Sequence, residues 1–154
     1  MRRYLSILLF FIGSIGYGQQ TIDEVAAKTL IEDFFTAFHK QDTTALRSMV
    51  HPEIQMQSIS VKKDAEPKLI IEEFGSFLKA ISAIPKTTKF EEKIHSFKIQ
   101  VDGPMANVST PYSFFVNGEL SHCGVNTFQL FKEKGFWKIV YLIDTRTKEG
   151  CIPE

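Results

Sequence analysis

Cysteine, tryptophan and unbalanced charge are what this 154-residue chain has least of: two Cys, one Trp, and 18 basic residues against 18 acidic ones. No element carries a stripe of Lys and Arg, so a nucleic-acid partner, whose phosphates need such a patch, is not expected. A glycine-rich phosphate loop is missing, since the glycines from Gly13 to Gly18 do not spell GxGxxG. No GxSxG nucleophile elbow occurs either. His39, His51, His95 and His122 are scattered without ligand spacing, so neither a metal nor a cofactor is expected.

One apolar run stands out, Tyr4 to Ile15, behind Met1-Arg2-Arg3 and ahead of Gly16-Tyr17-Gly18. It is shorter than the roughly 20 residues that cross a bilayer. A positive start, a short apolar middle and small residues at the peptidase positions spell a secretory signal, with cleavage near Gly18-Gln19. The expectation is a leader over residues 1–18, one domain over 19–154, a secreted or periplasmic address and no membrane association after cleavage. In an oxidising compartment Cys123 and Cys151 can form one disulfide if the tail beyond Arg146 folds back. A buried thiol at Cys123 with a solvent-facing Cys151 is the other arrangement.

Thr21-Ile22-Asp23-Glu24 is a capping box. Behind it Ile22, Val25, Ala26, Leu30, Phe34, Ala37 and Phe38 recur at helical spacing, widened by Ile31 and Phe35. Asp42 caps a short second helix that His51-Pro52 ends. Glu53 to Val61 reads as a strand, and Pro67 as the first residue of a third amphipathic helix ending before Pro85. Four long strands follow: Phe90 to Val101, Met105 to Val116, Glu119 to Lys132, and Phe136 to Arg146. Asn117-Gly118 is a two-residue hairpin turn, and Glu133-Lys134-Gly135 suits a three-residue loop. The order predicts an α+β domain, three N-terminal helices packed on a strongly curved antiparallel sheet.

The opening "VAAKTLIEDFFTAFHKQDTTALRSMVHPE" and the closing "GFWKIVYLIDTR" resemble the nuclear transport factor 2-like superfamily, over essentially the whole mature chain. "SHCGVNTFQLF" with that closing strand is similar to secreted bacterial members grouped as lumazine-binding proteins. The resemblance implies a cystatin-like cone, a pocket between helices and concave sheet, and frequent dimerisation through the outer face. It also implies that enzymatic members (isomerase-, dehydratase-, epoxide hydrolase- and cyclase-like) use pocket acids or histidines in proton transfer. The tyrosine–aspartate pattern of ketosteroid isomerase has no match, because the first helix carries Phe34, Phe35 and Phe38 but no tyrosine.

With a three-residue loop, Lys132 faces Phe136, His122 faces Arg146, Gly124 faces Asp144 and Asn126 faces Leu142. Opposed residues share a face. His122, Asn126, Asp144 and Arg146 then gather on one face with Phe128, Val140 and Leu142. Cys123, Val125, Phe131, Trp137, Ile139, Tyr141 and Ile143 take the other. That second apolar face suggests a homodimer. The Asn117-Gly118 turn places Ser113 opposite His122 and Phe115 opposite Leu120, with Tyr112 on the other face.

Polar groups ringed by aromatics fit a small-molecule pocket. The candidate ligand-binding set is His122, Asn126, Asp144, Arg146, Ser113, Phe115 and Phe128, with Phe34 and Phe38 as walls and His51 at the mouth. His122 beside Asp144 reads as a base held by a carboxylate, with Arg146 to stabilise an anion. Alternatively Asp144 and Arg146, two apart on a strand, pair with each other. The leading expectation is a secreted domain binding an unidentified small molecule. The rivals are an acid/base enzyme on a small cyclic or carbonyl compound, and an interaction module whose interior is filled by its own side chains.

Overall fold

A computed structural model describes residues 21–151 of the chain. The leader and cleavage point expected from the sequence lie outside these residues. The capping box forms as read: Glu24 N donates to Thr21 Oγ1 at 3.2 Å and Thr21 N to Glu24 Oε2 at 2.7 Å. It starts α1 (Ile22–His39), followed by α2 (Thr43–Met49), whose N-cap Asp42 accepts from Ala45 N. Next come β1 (Val50–Ser60), β2 (Lys68–Glu72) and α3 (Phe74–Ala83), then β3 (Phe90–Ile94) and β4 (Lys98–Asp102). β5 (Met105–Val116), β6 (Glu119–Glu133) and β7 (Phe136–Arg146) complete the chain.

The seven strands form one sheet in the order β2-β1-β7-β6-β5-β3, with β4 also on β5. The α+β expectation holds, with three departures. The sheet is mixed, because β1 runs parallel to β7. Residues 68–72, read as the start of the third helix, form an edge strand on β1; Glu73 caps α3 instead, accepting from Gly75 N at 2.8 Å and Ser76 N at 2.6 Å. The strand read from Phe90 to Val101 is two strands, β3 and β4, both paired with β5.

α1 buries Ala27, Ile31, Phe34, Phe35, Ala37 and Phe38 against the concave face, where Val108, Phe128, Leu130, Ile139 and Trp137 are equally buried. Two bulges set the register. The β6–β7 turn has two residues, Lys134 and Gly135, both at positive φ (51° and 87°), so Glu133 pairs Phe136. Val140 is then an extra residue, because Leu130 pairs Ile139 while Gln129 pairs Tyr141. In β5–β6 the extra residue is Ser121, since Phe115 pairs Leu120 but Phe114 pairs His122. The Ser121 bulge moves every later side chain to the opposite face of its expected partner, whereas the Val140 bulge cancels the offset of the shorter turn, so in β7 only the residues between turn and bulge change face.

Trp137 and Ile139 therefore belong to the inner core, not to the outer face on which the dimer expectation drew. The outer face keeps Val125 and Phe131, both exposed. Cys123 and Cys151 are bridged, with their Cα atoms 5.5 Å apart. Thr147 and Cys123 exchange two backbone hydrogen bonds at 2.9 Å, so the tail lies back along β6.

Candidate functional site

Register collects polar residues that are far apart in sequence. Ser58 pairs Asp144, Asp144 pairs Asn126, and Asn126 pairs Thr110, so four neighbouring strands each place one polar side chain on a single rung. All four are buried. The next rung, Met56–Leu142–Phe128–Val108, is apolar.

Over these rungs, between α1, α3 and the sheet, lies a cavity of about 710 Å³. Its aromatic wall is tightly made: Phe38 stacks on Phe77 at 6.0 Å, and Phe34 and Phe35 each meet Phe128 edge-on at 5.9 Å. Glu92, Tyr112, His122, Asn126, Asp144 and Arg146 make it polar around the polar rung, and Gln57, Glu72, Glu73 and Ser76 add polar groups from β1, β2 and α3.

The Glu92 carboxylate accepts from Asn126 Nδ2 at 2.7 Å, and the same amide reaches Thr110 Oγ1 at 3.3 Å. Burial lifts the Glu92 pKa to about 7 against the pull of the Asn126 bond; the charge of Asp144 adds to the lift and Arg146 opposes it. A carboxyl so placed changes protonation near neutral pH. The Glu92 N–H donates to His39 Nε2 at 2.9 Å, and burial holds the His39 pKa below its ordinary value.

Asp144 accepts from Arg146 Nε at 2.6 Å and from the Tyr112 hydroxyl at 3.3 Å. The Tyr112 hydroxyl also reaches Thr145 O at 3.0 Å, and burial, with Asp144 and Glu92 nearby, pushes its pKa up. It remains a donor. Burial alone would lower the Arg146 pKa, but the Asp144 bond and charge and the Glu72 carboxylate at 3.4 Å raise it.

His122 shares no hydrogen bond with this network among the described residues and meets it through an edge-on ring contact with Tyr112 at 5.8 Å. Its Nδ1 meets Ser121 Oγ at 3.2 Å and its ring stacks on Phe114 at 4.8 Å. Burial first, then Arg146 and Lys148, push its pKa down, only partly offset by Asp144. The base-and-orienter arrangement of His122 with Asp144 is not formed; Asp144 and Arg146 pair with each other.

Of the residues singled out from sequence, His122, Asn126, Asp144, Arg146, Phe128, Phe34 and Phe38 line the cavity. Ser113 and Phe115 do not. The Ser121 bulge sends Ser113 to the outer side, where its hydroxyl meets His95 Nε2 at 2.9 Å, while Lys93 lies over the Phe115 ring. Tyr112 and Phe114 take the inner positions. His51 lies in a separate concavity with Arg47 and Ile54, its Nδ1 accepting from Glu53 N at 3.1 Å. Sequence reasoning missed Glu92, Tyr112 and Phe114. Glu92 had a readable sign: Phe90, Glu92 and Ile94 share strand parity, so one acid interrupts an apolar face.

The family model for the SnoaL-like domain matches residues 27–143, well over half of the chain. The chain belongs to the SnoaL-like domain family. Solved structures place this SnoaL-like domain in the same fold. A cystatin-like protein of unknown function from Nostoc punctiforme is 11% identical, with a TM-score of 0.65, covering 84% of this chain and 95% of its own. An NTF2-like protein from Cytophaga hutchinsonii is 12% identical, TM-score 0.64, covering 83% and 100%. A candidate dehydratase of the NTF2-like family from Streptomyces avermitilis is 15% identical, TM-score 0.59, covering 81% and 96%. At these identities the likeness establishes the fold alone. No curated protein matches the sequence. The nuclear transport factor 2-like assignment holds, and lumazine specificity is no part of the match.

Chemically, this SnoaL-like domain offers one carboxyl that titrates near neutrality, one phenol held as a donor and one arginine paired with two carboxylates, all beside an aromatic-walled space. Among the described residues, no three His, Cys, Asp or Glu side chains gather as a metal site.

Proposed function

We propose that the domain binds a small, flat, largely apolar molecule in the cone, with the ligand's hydrogen-bonding edge on Glu92 and Asn126. The observation that carries this reading is the cavity of about 710 Å³, with phenylalanines on its walls and polar groups at one end. Such cavities suit ligands fixed by a few directed bonds inside an apolar envelope. The Cys123–Cys151 bridge and the leader-like start both support action in an oxidising compartment outside the cytoplasm.

The test is a thermal-shift screen of planar aromatic and heteroaromatic compounds. A true ligand at about a hundredfold its Kd raises Tm by roughly 10 °C. Ala80 is exposed and lines the cavity, so Ala80→Trp should obstruct it and remove the shift. Compounds that shift wild type and Ala80→Trp equally would overturn the cavity reading.

One observation favours a second reading, acid/base catalysis: Glu92 titrates at about 7, near the optimum for a proton carrier at neutral pH. Glu92 then takes the role first given to His122. In that case Glu92→Gln abolishes turnover of a bound cyclic or carbonyl compound and leaves its affinity within about threefold, because the amide keeps the shape. Unchanged turnover in Glu92→Gln sinks this reading.

A further inference from the structure

The polar end of the cavity is hostile to an anion. Glu92 and Asp144 both lie there, and the one cation, Arg146, is already held by Asp144 and Glu72. Immediately beyond lies a second concavity of about 450 Å³ that shares His122 and Arg146 with the first as a common wall. Its character is opposite. Lys62, Lys63 and Lys148 line it, all three exposed, against a single acid, Glu149. Among the described residues none of the three ammonium groups is engaged in an ion pair or a hydrogen bond.

The concavity is also anchored. Val61 N donates to Arg146 O at 2.8 Å, which fixes the start of the Lys62-Lys63 segment against the end of β7. The Cys123–Cys151 bridge and the paired Thr147 and Cys123 backbones hold the Lys148 segment on the other side. The field of this rim reaches the shared wall, since Lys148 helps to depress the His122 pKa.

We propose that the ligand of this domain is an amphipathic anion, its flat apolar body among the phenylalanines and its carboxylate, sulfonate or phosphate in the Lys62–Lys63–Lys148 vestibule. This rests on the cavity being a ligand site. An anionic group is disfavoured at the Glu92–Asp144 end, where the Asp144 and Glu72 carboxylates outnumber Arg146 and Glu92 adds to the repulsion when ionised. At the rim it meets three cations in water, an attraction that is real but screened by salt. The ligand therefore lies with its apolar body among the phenylalanines and its charge in the vestibule.

Two fluorescent probes with the same aromatic body test this: neutral 1-anilinonaphthalene and its 8-sulfonate. At low ionic strength the sulfonate should bind about tenfold more tightly, and about 0.5 M NaCl should erase most of that preference. The Lys62→Gln/Lys63→Gln/Lys148→Gln variant changes only exposed side chains. It should bring the sulfonate to the affinity of the neutral probe, whose own Kd stays put. Ala80→Trp should weaken both. Equal affinities in the wild type, a preference that survives the triple variant, or sulfonate binding untouched by Ala80→Trp each overturns the vestibule while leaving binding of the neutral probe intact. If neither probe binds, the cavity reading itself fails and the vestibule goes with it.

Discussion

Two rungs of the same sheet, two residues apart, present two different chemistries to one cavity. Val108, Phe128, Leu142 and Met56 form one; Thr110, Asn126, Asp144 and Ser58 form the other. Strand spacing, backbone pairing and burial are alike, and only the side chains change. The rung beyond the apolar one, Ala106–Leu130–Ile139–Val50, is closed core, with Ala106 and Leu130 fully buried. On the polar side, Asn126 and Asp144 are committed to Glu92, Thr110, Arg146 and Tyr112. The contrast teaches that a pocket in this fold is made by a change of chemistry along the strands. A sheet gathers such a site at about 4.8 Å steps across strands, whatever the distance in sequence.

Truncation at the closed end should have the largest effect. Leu130→Ala, in a site with no free space, should cost about 3 kcal/mol in urea unfolding. Leu142→Ala, beside the existing cavity, should cost about 1 kcal/mol, since it widens a space already open. Equal losses at the two positions would mean that the space beside Leu142 is as tightly filled as the core.

A smaller loss is expected on the polar rung. Asp144→Asn leaves Arg146 with Glu72 alone and turns an amide toward donors, so stability should fall by about 2 kcal/mol. Tyr112→Phe in the same background should then cost less than it does alone, because the pair shares one bond. Additive losses would place Tyr112 and Asp144 in separate networks.

The smallest effect is one of pH. Glu92 has a pKa of about 7 when folded and about 4.3 when unfolded. The folded state holds this proton more tightly, so its stabilising contribution is complete below the unfolded value, falls away between about pH 4.3 and about pH 7, and only the last part of that loss lies in the neutral range. Between about pH 6 and pH 8 the loss is about 1 kcal/mol. Glu92→Gln should flatten that slope in denaturation curves. A slope that persists in the variant assigns the proton to another group.

The fold was legible because its signals are local: the capping box, the Phe34–Phe38 stripe and the Asn117-Gly118 turn. The parallel docking of β1 on β7 has no local signal, and the five-residue β2 was hidden by Pro67 and a Leu-Ile-Ile run that suits helix or strand. The site was legible only as far as the register was. In β6–β7 two one-residue offsets cancel, a turn one residue shorter than read and a bulge at Val140, so His122, Asn126, Asp144 and Arg146 do share a face. In β5–β6 the single bulge at Ser121 is uncompensated, and Ser113 and Phe115 gave way to Tyr112 and Phe114. The extra residues here, Ser121 and Val140, are not the glycine that marks some bulges, so side-chain parity past them cannot be read from the pattern.

The tether between Cys123 and Cys151 ties the pocket to the history of the chain. Cys123 directly follows His122, and Cys151 closes the segment that carries Lys148. The cone itself is held by α1 and the sheet core, which need no sulfur chemistry to form. A chain folded under reducing conditions would thus complete its cone while its lysine tail hangs from two backbone bonds at Thr147. If the proposed vestibule holds the charge of the ligand, oxidation is the step that fixes its Lys148 side, and a preparation from a reducing cytosol would leave that side loose.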